Sequence, residues 1–400
     1  MRYEWKTFTV QELIDLGMLE EPLDGNHGAI HPKTSDYVPT GVPFIMANNL
    51  VNGRVDFNNC AFISEQQALT LRKGFSHPGD VLLTHKATIG RTAIVTEEYD
   101  TIILTPQVTY YRVKKGISNR YLKYYFDSRP FQELFANWAG SGSTRAYLGI
   151  TAQRKLPIVV PPFNIQCRIA DICGVLDDKI ELNQRINENL ERQAQAIFKS
   201  WFVDFEPFGG EIPANWEWLK FSSFLTTSNE KSNDPSLPMF SVTDQGIFPR
   251  DEKFKKKLSM TNSKNKVVHQ TDLVFGMSRE ILNWGIMRHP IGGVSAAYNV
   301  YRVSDQINTF YLESYMKANY QYFRDLIKPA SREGQGIDKN ALMQKAILIP
   351  PQDVLEKYYH IESAFVRMSK HVLEDSKRLA AIRDTLLPRL MSGEIDISGI

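Results

Sequence analysis

The sequence predicts an α+β chain in which two globular α/β modules are joined by two long helices. The helices pair as an intramolecular antiparallel coiled coil, and the whole carries a pseudo-twofold internal repeat. Three observations lead there. Blocks of the first half recur, in the same order, in the second half. Each copy runs into an apolar strand stopped by a double proline, Pro161-Pro162 and Pro350-Pro351. Beyond each double proline, apolar residues return at gaps of three, four and seven, the signature of a helix buried along one stripe.

The repeat is built from pieces that are individually short. Pro43-Phe44-Ile45 answers to Pro238-Met239-Phe240, and Gly79-Asp80-Val81-Leu82 to Thr271-Asp272-Leu273-Val274. Tyr111-Arg112-Val113 answers to Tyr301-Arg302-Val303, each followed by an aromatic helical stretch. A glycine-bearing element follows, Gly140-Ser-Gly142-Ser-Thr-Arg145 in one copy and Arg332-Glu-Gly334-Gln-Gly336 in the other. The closing strands are Leu156 to Pro162 and Ala346 to Pro351. Offsets of 195, 192, 190 and 189 drift by a few residues, as diverged copies with small loop changes require. A double proline removes two backbone donors, which ends the strand.

The helical segments come next in each copy. The first stripe includes Ile165, Ile169, Ile172, Leu176, Ile186, Leu190, Ile197 and Trp201. The second includes Leu355, Tyr358, Phe365, Val372, Leu379, Ile382 and Leu386. Pro207 with Gly209-Gly210 stops the first, and Gly393 the second. A helix of about 40 residues is ~60 Å long and needs a partner of similar length, which the other helix supplies. Asn183 falls near the stripe, where a polar residue can set register, or just off it in solvent. Antiparallel helices place the modules at opposite ends of a rod long enough to span half-sites ~34 Å apart on B-DNA. The expected boundaries are 1–163 and 209–351 for the modules, 164–208 and 352–400 for the helices.

Composition narrows the class. Hydrophobic residues make up 42% and charged residues 23%, the balance of a water-soluble globular chain, with no apolar run of membrane-spanning length. Residues 1–10 lack the apolar core of a signal peptide. Cys60, Cys167 and Cys173 make an odd set without a C-x-x-C pair, pointing to a reducing, cytoplasmic setting. The segments 1–163 and 209–351 carry net charges of +2 and +4, and the helical segments −3 and −1. That asymmetry suits an anionic ligand for the modules without establishing one.

Enzyme signatures are missing. There is no G-x-x-x-x-G-K-[ST] loop, and Arg145 and Lys339 stand where a dinucleotide loop needs its third glycine. Val160-Pro-Pro-Phe163 has valine in place of the asparagine of an amino-methyltransferase motif. No Pro-Asp dipeptide marks a nuclease carboxylate cluster. His27 and His31 have helical metal-ligand spacing, but Gly28 and Pro32 favour a loop, so no metal site is expected.

Two segments resemble a known family. Gln195-Ala-Ile-Phe-Lys-Ser-Trp-Phe-Val-Asp-Phe205-Glu-Pro207 resembles the end of the central conserved region of type I restriction-modification specificity subunits. Ile382-Arg-Asp-Thr-Leu-Leu-Pro-Arg-Leu-Met-Ser-Gly-Glu-Ile395 resembles the end of their second conserved region. The double prolines, the Ser-Gly-Ser element and the Gly79-Asp80 turn fit the same pattern. The Arg332 element departs from the family's Ser-Gly-Ser-x-Arg form. The resemblance implies a non-catalytic subunit whose modules are target recognition domains, each reading half of a split, asymmetric DNA site, with the helices fixing the gap. It implies two methyltransferase subunits and motor-nuclease subunits as partners. S-adenosylmethionine, ATP and Mg2+ would then be used on those partners, with no cofactor on this chain. The competing expectation is a two-headed coiled-coil scaffold gripping RNA or protein.

Sequence readout uses Arg or Lys on guanine and Asn or Gln on adenine, while phosphates take Lys, Arg, Ser, Thr and backbone amides. In the first module the candidates are Asn48, Asn49, Lys86, Arg91, Ser141, Ser143, Thr144 and Arg145. In the second they are Lys255, Lys256, Lys257, Arg279, Asn283 and Arg332, with the 278–285 stretch in the place of the Lys86 loop.

Overall fold

In the computed structural model, the described residues are 5–140, 146–232, 234, 236–250, 265–278, 280–327 and 336–397. Two compact units emerge, one of Met1–Gln184 with Leu373–Ile400 and the other of Arg185–Val372. Each unit holds one module and a part of each long helix, Phe163–Phe202 and Gln352–Met391.

In the first unit, strand Lys6–Thr9 pairs antiparallel with the closing strand Pro157–Val160. Thr9 then starts helix Val10–Asp15 through a capping box with Glu12, satisfying two otherwise orphan amides. A four-stranded antiparallel sheet runs in the order Thr88–Ile94, Val81–Lys86, Val108–Tyr111, Leu23–Asp24. A mixed five-stranded sheet places Ile102–Leu104 parallel to Val42–Ile45 and antiparallel to Phe75–Ser76. Tyr111, Phe126, Phe131 and Phe135 fill the space between sheet and helices.

The second unit repeats this plan. Strand Glu217–Lys220 pairs antiparallel with the closing strand Ala346–Ile349. Its four-stranded sheet has the order Trp284–Ile286, Leu273–Phe275, Asn299–Val303, Leu225–Ser228, the same order strand for strand. Strand Ile291–Val294 pairs antiparallel with Lys266–His269, and Gly293 makes a parallel bridge to Met239. That reproduces the pairing of Ile102–Leu104 with Phe75–Ser76 and with Val42–Ile45.

The repeated residues meet each other in the same way. Arg112 holds Asp80 through Nε and Nη2, both at 2.8 Å, and reaches Glu20 at 3.3 Å. Arg302 likewise holds Asp272 and Glu230. Asp80 accepts from the His77 amide at 2.8 Å, Asp272 from the His269 amide at 2.7 Å. Burial pushes the Asp272 carboxyl up, against the pull of Arg302. The residue before each aspartate is left-handed, Gly79 at φ 90° and Thr271 at φ 73°.

Within the first unit the two helices run antiparallel. Asn183 is buried and its Nδ2 donates to Asp375 at 2.9 Å, while Asp177 pairs with Arg383 at 2.7 Å. Ile165, Ile169 and Cys173 pack with Leu387, Leu390 and Ile397 against Tyr121 and Tyr124 of the Asn119–Asp127 helix. In the second unit Phe198 and Phe202 close on Tyr358, with ring centroids 5.8 and 4.9 Å apart. The deepest aromatic positions are thus Phe198 and Phe202, while Ile197 and Trp201 are only partly covered. Ile382, assigned to the stripe from sequence, is 37% exposed. A helix docked on a module buries a wider arc than a two-stranded coiled coil does, which moves the centre of the stripe.

The acidic face of the central helix has a local explanation. Asp177 receives Tyr124 and Arg383 and lies 3.5 Å from Lys123, Asp178 meets Arg120 at 3.5 Å, and Glu181 pairs with Arg54. Helix carboxylates therefore fasten the helix to its own module. No described helix is long and apolar enough to cross a membrane.

Candidate nucleic-acid interface

The reading loops of the first module are organised by one hairpin. Val81–Lys86 and Thr88–Ile94 turn at Ala87, which is left-handed at φ 64° and exposes Lys86 at the tip. The register slips between Ile89 and Thr92, a bulge centred on Gly90 and Arg91. A bulge re-aims the side chain it carries. The Arg91 amide donates to Thr84 Oγ1 at 2.9 Å, and its guanidinium sits 3.4 Å from the carbonyls of Ala47 and Leu50. That brings the Ala47–Asn49 turn, with exposed Asn48, to the hairpin.

Asn49 belongs to a different class from its neighbour. It is 3% exposed, its Oδ1 accepts from the Met46 amide and its Nδ2 donates to the Asn59 carbonyl. Both ends of the amide thus have a partner within the turn, and the buried side chain shapes the turn that presents Asn48.

Ser141, Ser143, Thr144 and Arg145 lie outside the described residues, but the flanks of their segment are placed. The Ala87 amide donates to Ala146 O and the Leu148 amide to His85 O, both at 3.0 Å, while the Tyr147 amide donates to Ala139 O at 3.1 Å. Lys86 Nζ stands 5.9 Å over the Tyr147 ring. Beside Lys86 a cavity of about 250 Å³ is walled by Tyr37, Phe44, Met46 and Gln107. His85, just behind, is fully buried, its Nδ1 lies 3.0 Å from the Leu148 carbonyl, and burial pushes its pKa down against the pull of Asp24.

The candidate metal histidines are otherwise occupied. His27 contacts Asp24 at 2.9 Å and His31 contacts the Asn26 carbonyl at 3.1 Å. Burial raises the Asp24 carboxyl, but Lys73 and His27 outweigh it and hold the group below its usual range. Among the described residues no three His, Cys, Asp or Glu side chains gather as a metal site.

In the second module the equivalent hairpin is Leu273–Phe275 with Trp284–Ile286. Its loop is closed by Gly276 donating to Asn283 O at 2.8 Å. The Asn283 amide N–H donates to Ser278 Oγ at 2.9 Å and its Nδ2 to Met277 O at 2.6 Å. Asn283 therefore braces this loop. Arg279, Lys255, Lys256, Lys257 and Arg332 lie outside the described residues. Elsewhere in this module Lys266, which follows the basic run in the sequence, is joined by Lys231 and Lys339, which sequence reasoning did not select. Lys231 bridges Lys266, and Lys339 is close enough to act on the Lys266 charge. They are 35 and 73 residues apart along the chain, so no run of charge announces them.

A family model described as the type I restriction modification DNA specificity domain matches residues 3–192. The chain is 26% identical to the type I restriction enzyme MjaIX specificity subunit of Methanocaldococcus jannaschii, over 98% of this chain and 94% of that protein. It is 31% identical to the HindI specificity subunit of Haemophilus influenzae, over 43% of this chain and 38% of that one. The crystal structure of a type I restriction-modification S subunit from M. genitalium superposes with TM-score 0.55 at 12% identity, covering 97% of this chain and 96% of that chain. A chain from a structure concerned with assembly and conformational transition of the type I restriction-modification system gives TM-score 0.50 at 12% identity, covering 99% and 100%. With the module repeated strand for strand and each copy running into a 40-residue helix, the chain is similar over nearly its whole length to specificity subunits of type I restriction-modification systems.

Proposed function

We propose that the chain is the non-catalytic subunit that reads a bipartite, asymmetric DNA site, one module to each half, with the helical pair setting the gap. The observation that carries this is the duplicated sheet, which offers a polar hairpin loop at the same edge of each module. In the first module Asn48, Lys86 and Arg91 face the DNA together with Ser141, Ser143, Thr144 and Arg145. In the second, Arg279 and Arg332 act with Lys255, Lys256 and Lys257, and Asn283 braces the hairpin loop between Phe275 and Trp284. Asn49 supports the Asn48 turn. Lysine and arginine supply phosphate contacts, and the asparagine and arginine side chains are suited to base edges.

Two methyltransferase subunits and the motor-nuclease subunits complete the assembly in the cytoplasm, and S-adenosylmethionine, ATP and Mg2+ act on those partners. The test is co-expression with the cognate methyltransferase subunit followed by genome-wide mapping of methylated adenines. A split motif with a fixed gap is the expected result. Replacing residues 1–163 by another recognition module should then change one half of that motif and leave the other. An unchanged motif after the swap overturns the assignment.

A further inference from the structure

Lys231, Lys266 and Lys339 come from three separate elements of the second module. Lys231 is bridged to Lys266 at the start of strand Lys266–His269, and Lys339 opens the Lys339–Gln344 helix. The Lys266 stem is half-buried and its Nζ donates to the Tyr298 carbonyl at 2.8 Å, which fixes one ammonium in place. Lys231 and Lys339 are exposed. None of the three forms an ion pair among the described residues. The acid adjacent to Lys231, Glu230, is taken by Arg302 and His269.

Like charges gathered without a counter-charge repel one another, and the repulsion is felt most where one group is partly buried. Burial, with the charges of Lys339 and Lys231, pushes the Lys266 ammonium below its usual range. Surface lysines normally reach a carboxylate or spread into solvent. Here Lys266 is anchored by a carbonyl, and none of the three lysines meets a carboxylate among the described residues.

We propose that Lys231, Lys266 and Lys339 form a phosphate-binding site that grips the backbone of duplex DNA in the second module. The inference rests on the DNA-reading function and adds residues to it. Three ammonium groups from separate elements, one of them fixed, suit the oxygens of neighbouring backbone phosphates. Such contacts hold a protein on the duplex without reading its sequence. The site therefore anchors the module while the hairpin loop does the reading.

The experiment is a salt titration. The full chain, purified with its methyltransferase subunits, is bound to a labelled duplex carrying the mapped site and to an unrelated duplex. Affinity is measured by fluorescence anisotropy across a range of salt concentrations. Each phosphate contact contributes a slope of about 0.9 to the fall of log affinity with log salt. The triple variant Lys231→Gln, Lys266→Gln, Lys339→Gln should lose about 2 to 3 from that slope. It should weaken both duplexes alike, and the ratio of specific to unrelated binding should stay within about twofold. The triple Lys→Arg variant should keep the parental slope, which separates charge from folding. A parental slope in the Gln variant overturns the phosphate site alone, as does a loss confined to the specific duplex. A parental complex that binds neither duplex overturns this inference and the DNA-reading function together.

Discussion

Thr271 sits at φ 73°, a conformation that a β-branched residue enters at a cost, while its counterpart Gly79 enters it freely at φ 90°. Thr271→Gly should stabilise the second module by about 0.5–1 kcal/mol in chemical denaturation, and Gly79→Thr should destabilise the first by about 1–2 kcal/mol. A residue-scale prediction of another kind attaches to Glu362. Its Oε1 accepts from Ser314 at 3.4 Å, its Oε2 has no partner among the described residues, and Tyr358 packs nearby. Burial first, and then Glu313, pushes the carboxyl up to about 7, although Arg288 and Lys317 pull the other way. The folded state thus holds this proton more tightly than the unfolded chain. The stability it contributes is complete below the ordinary glutamate range and is lost as pH rises toward 7. Glu362→Gln should flatten that slope and exceed the parent by about 1–2 kcal/mol at pH 8, read by denaturation at a series of pH values. Sequence alone could not separate Asn48 from Asn49, because only the fold reveals that the second amide is already engaged at both ends. Nor could it group Lys231 and Lys339 with Lys266, since a cross-strand bridge and a helix start bring them from distant stretches.

At the scale of elements, the most legible features were those with a period or a stop. The two 40-residue helices follow from their apolar spacing and from the double prolines before them. The Asp and Tyr-Arg-Val pairs of the repeat were legible as a pattern, but that each arginine grips its own aspartate emerges only when the strands lie side by side. The stripe itself was read one position off at Phe198 and Phe202, since the docking module, and not just the partner helix, decides which face is covered. Asn183 resolves in favour of the seam. Its amide meets Asp375 across the helix pair, where a buried polar contact fixes register. A double-mutant cycle of Asn183→Ala and Asp375→Ala should give a coupling of about 0.5–1.5 kcal/mol in thermal or chemical unfolding. Additive single effects would place Asn183 outside the register contact.

On the scale of the whole molecule, the division of the chain into units carries a consequence that order along the sequence conceals. The first unit is made of the N-terminal module and the last stretch of the C-terminal helix, Leu373–Ile400. Ile165, Ile169, Cys173 and Tyr124 bury themselves against Leu387, Leu390 and Ile397. Arg383 neutralises Asp177, and Arg168 donates to the Ile397 carbonyl at 2.7 Å. Removing those partners uncovers several large side chains, each contributing about 1.5–3 kcal/mol when fully buried, and strips a partly buried carboxylate of its arginine. Ending the chain after Val372 should therefore injure the distant N-terminal module. The second unit keeps Phe198, Phe202, Val354, Leu355 and Tyr358, all of which precede the cut. Hydrogen exchange should show lost protection in Asn119–Asp127 and in the central helix up to Gln184, with strands Leu273–Phe275 and Asn299–Val303 unchanged. Equal loss in both modules would mean that the chain unfolds as one cooperative body. Loss confined to the second module would mean that residues 373–400 stabilise the module that precedes them and not the one they pack against.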